Sequence, residues 1–92
     1  MSETAEAEFT ILNQLGLHAR AAARFVETAN RFNAEVTVSN GEDSVAGKSI
    51  LGLMMLAAAQ GTRLTLVAVG ADAEAAIDAL ADLVAERFHE SS

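Results

Sequence analysis

The segment 62-TRLTLVAV-69 is the most regular strand pattern in the chain. Leu64, Leu66 and Ala68 alternate with the residues between them, and this period of two is typical of a strand with one buried face. Antiparallel sheets commonly have one face packed against the core and the other facing water. The segment therefore predicts an antiparallel sheet that is covered on one side.

The segments on either side of this strand extend the pattern in both directions. Before it, residues 49–59 predict a short helix, and residues 35–47 predict two strands joined by a hairpin at Asn40-Gly41. Residues 8–12 predict a first strand, and a helical period of apolar residues begins at His18. After it, Asp72 can cap a final helix, whose predicted buried stripe comprises Ala76, Ile77, Leu80, Leu83, Val84 and Phe88. The order β-α-β-β-α-β-α predicts an α+β two-layer sandwich with three helices on one face of the sheet.

Size and composition limit the possible functions. The 92 residues predict a single domain, residues 1–92. The chain has no cysteine, which excludes a disulfide framework, thiolate zinc sites and thiol catalysis. Residues 1–8 do not resemble a signal peptide, and the longest apolar run, residues 50–59, is too short to cross a bilayer. We therefore expect a cytoplasmic protein that does not insert into a membrane.

Charge is distributed unevenly along the chain. The net charge of −7 disfavours nucleic acid as a partner, because phosphate backbones attract lysine and arginine. Residues 18–33 nevertheless carry three arginines against one glutamate, whereas residues 72–90 carry six acidic residues against one arginine. One helix is therefore basic on an otherwise acidic protein, and this contrast requires an explanation.

The segment 15-LGLHAR-20 carries the clearest chemistry. A histidine that opens a helix lies beside unpaired backbone N–H groups, which bind anions and phosphate above all. A neutral imidazole nitrogen is also a nucleophile toward phosphorus, and the arginine at position 20 can donate charge-assisted hydrogen bonds to phosphoryl oxygens. His18, the N–H groups of Ala19 and Arg20, and the Arg20 side chain thus form a candidate phosphate site. On spacing alone, a histidine that only caps the helix beside a surface arginine remains an alternative.

Two motifs resemble those of a known family. The run 16-GLHAR-20, followed by Ala22 and Phe25-Val26, is similar to the active-site signature of HPr, the histidine phosphocarrier of the bacterial phosphotransferase system. The run 47-GKSILG-52, with the following Met54, Leu56 and 60-QGT-62, resembles that family's second signature. The similarity extends over about residues 8–88, and it implies an open-faced sandwich with strand order 1-4-2-3.

The resemblance implies a role for each residue of the first motif. Nδ1 of His18 would accept phosphate from the phosphohistidine of enzyme I and pass it to a histidine of an enzyme IIA domain. Arg20 matches the family's phosphate-contacting arginine. The family usually has proline after that arginine, whereas this chain has Ala21; alanine is a good helix former, so we expect the helix to persist.

The second motif predicts a cap and a modification site. Serine is among the best helix N-caps, so Ser49 is expected to cap the short helix. By resemblance, Ser49 is also the target of the HPr kinase/phosphorylase that acts on many relatives. A phosphate at a helix start is electrostatically tolerated and would alter the docking of partners nearby.

The short helix is too apolar to be buried completely. Some of its apolar residues must be core, but a helix of this length cannot bury all of Ile50, Leu51, Leu53, Met54, Met55 and Leu56. By analogy with the family, Ile50, Leu51 and Met54 would form a docking patch beside His18. Arg24 would serve the same interface.

Several alternatives remain open at this stage. Within the family, a nitrogen-related regulatory branch, similar to NPr, competes with the carrier that feeds sugar uptake. A binding module that regulates by docking without relaying phosphate is a third possibility, and the presence of both His18 and Arg20 argues against it. No cofactor signature, metal cluster or paired-carboxylate site is visible, so we expect a monomeric, stoichiometric relay without cofactor or metal rather than an enzyme.

Overall fold

The computed structural model describes residues 3–56 and 58–92. Its elements, in chain order, are β1 (Thr4–Thr10), α1 (Ala19–Ala29), β2 (Glu35–Ser39), β3 (Ser44–Ala46), α2 (Ile50–Leu56), β4 (Arg63–Val69) and α3 (Ala73–Ala85). A 3-10 turn at Arg87–His89 follows. The four strands form one antiparallel sheet in the order β1-β4-β2-β3, so the predicted fold class and strand order are confirmed. In the described ranges, no helix has both the length and the apolar character needed to span a membrane.

The strand β4 has the single buried face that the alternation of residues 62–69 predicts. β4 pairs with β1 on one side and with β2 on the other, and Leu64, Leu66 and Ala68 are buried beneath the helices. The residues between them lie on the open face, where the ion pair between Arg63 and Glu8 is exposed. Substitution of a buried leucine such as Leu66 by alanine would cost about 2–5 kcal/mol, because the loss of burial adds to the cavity left behind.

The helices complete the core from one side of the sheet. The predicted stripe is buried from Ala76 to Val84 within α3, and α2 contributes Leu53 and Leu56. The buried residues of α1 are Ala21, Ala22, Phe25, Val26, Thr28 and Ala29. Ala21, which replaces the family's usual proline, is fully buried inside an intact helix, as expected.

Some element boundaries differ from those predicted. β1 begins at Thr4 rather than at residue 8, because the small side chains of Ala5 and Ala7 alternate inward without producing a clear hydrophobic pattern. α2 ends at Leu56, short of the predicted residue 59; Ala57 lies outside the described residues. The hairpin between β2 and β3 has a four-residue loop, since the Asn40 side chain accepts hydrogen bonds from two N–H groups of the loop, those of Glu42 and Asp43.

Asp72 lies at the N-cap position of α3, but its side chain binds the segment that precedes β2. It makes no side-chain cap bond; its two carboxylate oxygens accept the N–H groups of Asn33 and Ala34, each at 2.8 Å. The hydrogen bond from Asn33 lowers the pKa of Asp72 most; desolvation raises it, and the remaining N–H bonds and the charge of Lys48 lower it further. The net pKa is below the ordinary value. Asp72 therefore joins the start of β2 to the start of α3.

The chain after α3 folds back toward α1. Phe88, predicted as the last residue of the helical stripe, lies outside α3 in a turn whose three residues, Arg87–His89, all have positive φ angles of 54–64°. Left-handed backbone is strained for residues other than glycine, and the complete burial of the Phe88 ring holds the turn in place. The turn directs the residues that follow it toward the N-terminus of α1.

Candidate functional site

The loop before α1 is held by a close backbone contact at Gly16. This glycine has φ +69°, and a Cβ atom placed on it would lie 2.5 Å from the carbonyl oxygen of Ala58. The same carbonyl accepts the N–H of Leu17 at 2.8 Å. Only glycine fits at this position, and the contact fixes the loop two residues before His18.

His18 is the N-cap of α1. Its backbone is extended, with φ −75° and ψ 178°, and its carbonyl accepts the N–H of Ala22, which closes the first helical turn. The Nδ1 atom of the ring accepts the backbone N–H of Arg20 at 3.3 Å, so it occupies the place usually taken by a serine or aspartate oxygen. The side chain is 28% exposed, which leaves the ring accessible from solvent.

The other ring nitrogen is paired with a residue that the sequence did not indicate. Nε2 of His18 contacts Oε2 of Glu90, 72 residues further along the chain, in a short hydrogen bond. An ionised carboxylate can only accept hydrogen bonds, so Nε2 carries the proton. Because Nδ1 faces an N–H donor, the neutral ring has its lone pair on Nδ1, directed at the amides of the helix start.

Asn13 fixes the Glu90 carboxylate from the other side. Its Nδ2 group donates to Oε1 of Glu90 at 2.9 Å and to the carbonyl of Gly16 at 2.7 Å. The residue is fully buried, and within the described residues its Oδ1 atom has no hydrogen-bond partner. The reversed amide would place Oδ1 against two acceptors, so the observed orientation is the favourable one.

The surroundings of Glu90 keep its carboxylate charged. Burial of the carboxyl group raises its pKa, but the hydrogen bonds from His18 and Asn13, the charge that His18 has when it is protonated and the charge of Arg24 together outweigh burial. The net effect is a pKa below the ordinary value of 4.5. Glu90 therefore presents a negative charge to the outer nitrogen of the histidine.

The two arginines of the predicted site differ in their surroundings. Arg20 is exposed beside His18, in a groove that is also lined by Ala19 and the C-terminal residues 89–92. Arg24 lines the same groove, but its guanidinium is half-buried and donates a short hydrogen bond to the Phe88 carbonyl. Arg20 is thus available to an anion at His18, whereas Arg24 already holds the C-terminal turn.

Ser49 has the capping contact that its position predicts. Its Oγ atom accepts the N–H of Gly52 at 3.0 Å at the start of α2. The neighbouring Lys48 reaches in the opposite direction and donates to the carbonyl of Phe32 at 2.8 Å. Ser49 is half-buried, which leaves part of its side chain at the surface.

The apolar residues of α2 divide between core and surface. Leu53 and Leu56 are buried, as the length of the helix requires. The exposed residues of α2 are Ile50, Leu51, Met54 and Met55. Met54 lines a hollow together with His18 and Leu15, and the Leu15 side chain is 72% exposed. An apolar surface therefore adjoins the histidine.

Sequence reasoning missed three residues of this site: Asn13, Leu15 and Glu90. Glu90 is distant in sequence and follows a left-handed turn that contains no glycine, so nothing in the local pattern indicates that the chain reverses there. Asn13 lies in an irregular loop, where its burial has no sequence signal.

The second histidine, His89, is exposed and lies 3.6 Å from the Glu86 carboxylate. No group of three or more potential metal ligands occurs among residues 3–56 and 58–92.

The fold and the site together define a class of protein: a small open-faced sandwich with an accessible histidine at a helix start. A profile of the PTS-HPr family, described as the "PTS HPr component phosphorylation site", matches residues 5–86. The chain belongs to this family and is a phosphocarrier protein of the HPr/NPr type of the phosphotransferase system.

The named relatives include both NPr and HPr phosphocarrier proteins. The chain is 46% identical to phosphocarrier protein NPr of Shewanella violacea, over 95% of this chain and 96% of the relative. It is 52% identical to phosphocarrier protein HPr of Neisseria meningitidis, over 87% and 90% of the two chains. Among solved structures, HPr from Thermoanaerobacter tengcongensis superposes with a TM-score of 0.91 at 43% identity, covering 96% of this chain and 99% of that one.

Proposed function

We propose that this protein is a cytoplasmic relay that takes a phosphoryl group from the phosphohistidine of enzyme I and passes it to a histidine of an enzyme IIA domain. Nδ1 of His18 is the reacting atom. The observation that carries this proposal is the arrangement of the ring: its lone pair faces the first amides of α1, and its proton is held by Glu90 on the far side.

The transfer requires no change of protonation on His18. The Nδ1 lone pair forms a bond to phosphorus, the nitrogen–phosphorus bond of the donor breaks, and the bonding electrons return to the donor's ring. The His18 ring then carries phosphate on Nδ1 and the original proton on Nε2, and it bears a positive charge. Onward transfer reverses these events and restores the neutral ring.

The helix start supplies the groups that stabilise the transferred phosphoryl group. The N–H groups of Ala19 and Arg20 lie in the first turn, which has no main-chain acceptors for them, and they form the phosphate cradle. Before transfer, the Arg20 N–H donates to Nδ1 of His18. The exposed Arg20 guanidinium adds charge-assisted hydrogen bonds. Partner docking would use the apolar surface of Ile50, Leu51 and Met54 on α2. Arg24, which lines the groove beside His18, would add a positive charge to the same interface.

Phosphorylation by enzyme I tests this proposal. Incubation with enzyme I and phosphoenolpyruvate should attach one acid-labile phosphate, and His18→Ala should abolish it. His89→Ala is the matched control and should retain the label, because its ring lies outside the helix start. Retention of full labelling in His18→Ala would assign the reaction to another residue.

A second modification is proposed at Ser49. Its hydroxyl is partly accessible at the start of α2, within the family's second signature, and we propose that an HPr kinase/phosphorylase phosphorylates it. The kinase and ATP should give an acid-stable label that Ser49→Ala removes, with Ser44→Ala as the control on the exposed strand β3. Equal labelling of Ser49→Ala would remove this part of the proposal.

The nitrogen-related branch is the alternative assignment, and the resemblance to NPr of Shewanella violacea supports it. The rates of phosphorylation by the sugar-branch and nitrogen-branch forms of enzyme I, measured side by side, distinguish the two.

We propose that the relay acts as a monomer, although a dimer of HPr from Thermoanaerobacter tengcongensis is among the solved structures. Sedimentation of the full chain tests the oligomeric state.

A further inference from the structure

We propose that Glu90 and Asn13 act as positioning residues, which together hold His18 in the single tautomer that can receive phosphate. The inference deepens the proposed function and rests on it, because it assigns the groups that keep Nδ1 unprotonated. It concerns a contact between the two ends of the chain, made by residues outside both family motifs.

Both oxygens of the Glu90 carboxylate are committed. Oε2 faces Nε2 of His18, and Oε1 accepts from Asn13, whose other N–H bond is made to the Gly16 carbonyl. The carboxylate therefore cannot rotate without breaking a hydrogen bond to one of its partners. With 13% of the Glu90 side chain exposed, water competes only weakly for its oxygens.

The C-terminal turn brings Glu90 to the histidine. The buried Phe88 ring anchors the turn, its carbonyl accepts a hydrogen bond from Arg24 of α1, and the N–H of Gln14 bonds to the Ser92 carbonyl oxygen. Three consecutive residues in left-handed backbone lie in this anchored turn, beside the candidate site. Strained backbone is commonly found where a functional geometry is imposed by its surroundings.

This arrangement affects both directions of phosphoryl transfer. Before transfer, a proton held on Nε2 leaves Nδ1 as the nucleophile. After transfer, the same proton gives the ring a positive charge, which the carboxylate stabilises. The ring then leaves as neutral imidazole when phosphate moves on, rather than as an anion. Glu90 thus supports both acceptance and release of phosphate, because it holds one proton on Nε2 of His18 throughout.

Glu90→Gln is predicted to reverse the tautomer. The new amide retains one acceptor and gains a donor, and Asn13 can only donate toward it, since the Asn13 amide is fixed by Gly16. The glutamine oxygen should therefore turn to Asn13 and its NH₂ group to His18. Nε2 then becomes an acceptor, and the proton moves to Nδ1, the nitrogen that must react. This tautomer loses the hydrogen bond from the Arg20 N–H, which at 3.3 Å is the longer of the two ring contacts.

Nitrogen-15 NMR of the unphosphorylated protein tests the inference, because protonated and unprotonated ring nitrogens have widely separated shifts. In the wild type, Nε2 should be the protonated nitrogen, and in Glu90→Gln it should be Nδ1. Phosphorylation by enzyme I should be slower in Glu90→Gln by about ten- to a hundredfold, as expected for one charge-assisted hydrogen bond. Glu86→Gln removes the same charge from an exposed position and should change neither measurement.

A double variant separates positioning from loss of charge. In Asn13→Ala/Glu90→Gln the glutamine oxygen is free to face His18, so the proton should return to Nε2 although the charge is still absent. A proton that stays on Nε2 in Glu90→Gln, or one found on Nδ1 in the wild type, overturns the inference. The tautomer is read without enzyme I, so failure of labelling at His18 would affect the proposed relay and leave this measurement intact.

Discussion

Replacement of Gly16 by alanine tests how the loop before α1 is held in place. The backbone at this position has φ +69°, a conformation that costs an L-residue about 1–2 kcal/mol. The added Cβ would also lie 2.5 Å from the Ala58 carbonyl oxygen, so the two segments must separate by about 1 Å to reach ordinary contact. That separation breaks the 2.8 Å bond between Leu17 and Ala58, and an unpaired buried carbonyl costs about 1–3 kcal/mol.

The expected total loss in the free energy of unfolding for Gly16→Ala is about 2–5 kcal/mol. Gly61→Ala is the matched control: Gly61 has φ +90°, and a Cβ atom added there would have no neighbouring atom within 4 Å, so it has the backbone strain without the clash. The control should lose only about 1–2 kcal/mol. Both variants shift the entropy of the unfolded chain in the same way, so this contribution cancels in the comparison.

Urea unfolding followed by circular dichroism measures the free energy of unfolding of both variants. Each variant should shift the midpoint of the urea transition and leave the dependence of the free energy on urea concentration unchanged. Gly16→Ala should lose at least about 1 kcal/mol more than Gly61→Ala. Equal losses in the two variants would refute the reasoning, because they would show that the contact with Ala58 does not hold the loop that leads to His18.

Four further substitutions, one of them a control, test the surrounding structure. Phe88→Ala removes a fully buried ring and should lower the free energy of unfolding, measured by thermal unfolding, by about 3–5 kcal/mol. Its control is Arg87→Ala at the exposed neighbouring position, whose free energy of unfolding should stay within about 0.5 kcal/mol of the wild type. Ser49→Ala should cost about 1 kcal/mol through loss of the cap on α2, and an unchanged unfolding midpoint would show that the cap contributes nothing. The pKa of Asp72 is lower in the folded than in the unfolded chain, so its stabilisation is complete above the ordinary value of 3.8 and is lost as the pH falls through the folded value. Asp72→Asn should therefore be less stable than the wild type near neutral pH and approach it in acid; a difference that is constant with pH would contradict this account.

The order of the elements can be predicted from the sequence because strong local patterns specify it. The alternation in residues 62–69 and the helical stripes of α1 and α3 depend on residues close together in the chain. The predicted β1 is too short because alanines at inward positions give little hydrophobic contrast. The sequence assigns Asp72 to its own helix because its capping position is a local signal, whereas its partners, Asn33 and Ala34, lie nearly forty residues away.

The candidate site is only partly predictable for the same reason. His18 and Arg20 stand two residues apart at a helix start, so their neighbourhood is encoded locally. Glu90 reaches His18 only after a left-handed turn without glycine and through an asparagine buried in a loop, and neither feature has a sequence pattern. The residues that hold the proton of the histidine are therefore visible only in the folded chain.

Phosphorus-31 and nitrogen-15 NMR of the phosphorylated protein test most directly whether Nδ1 of His18 is the atom that carries the phosphoryl group. Uniform nitrogen-15 labelling followed by reaction with enzyme I and phosphoenolpyruvate should give one phosphorus signal, coupled to Nδ1 of His18, while Nε2 retains its proton. A phosphorus signal coupled to Nε2, or one assigned to any residue other than His18, would contradict the central claim.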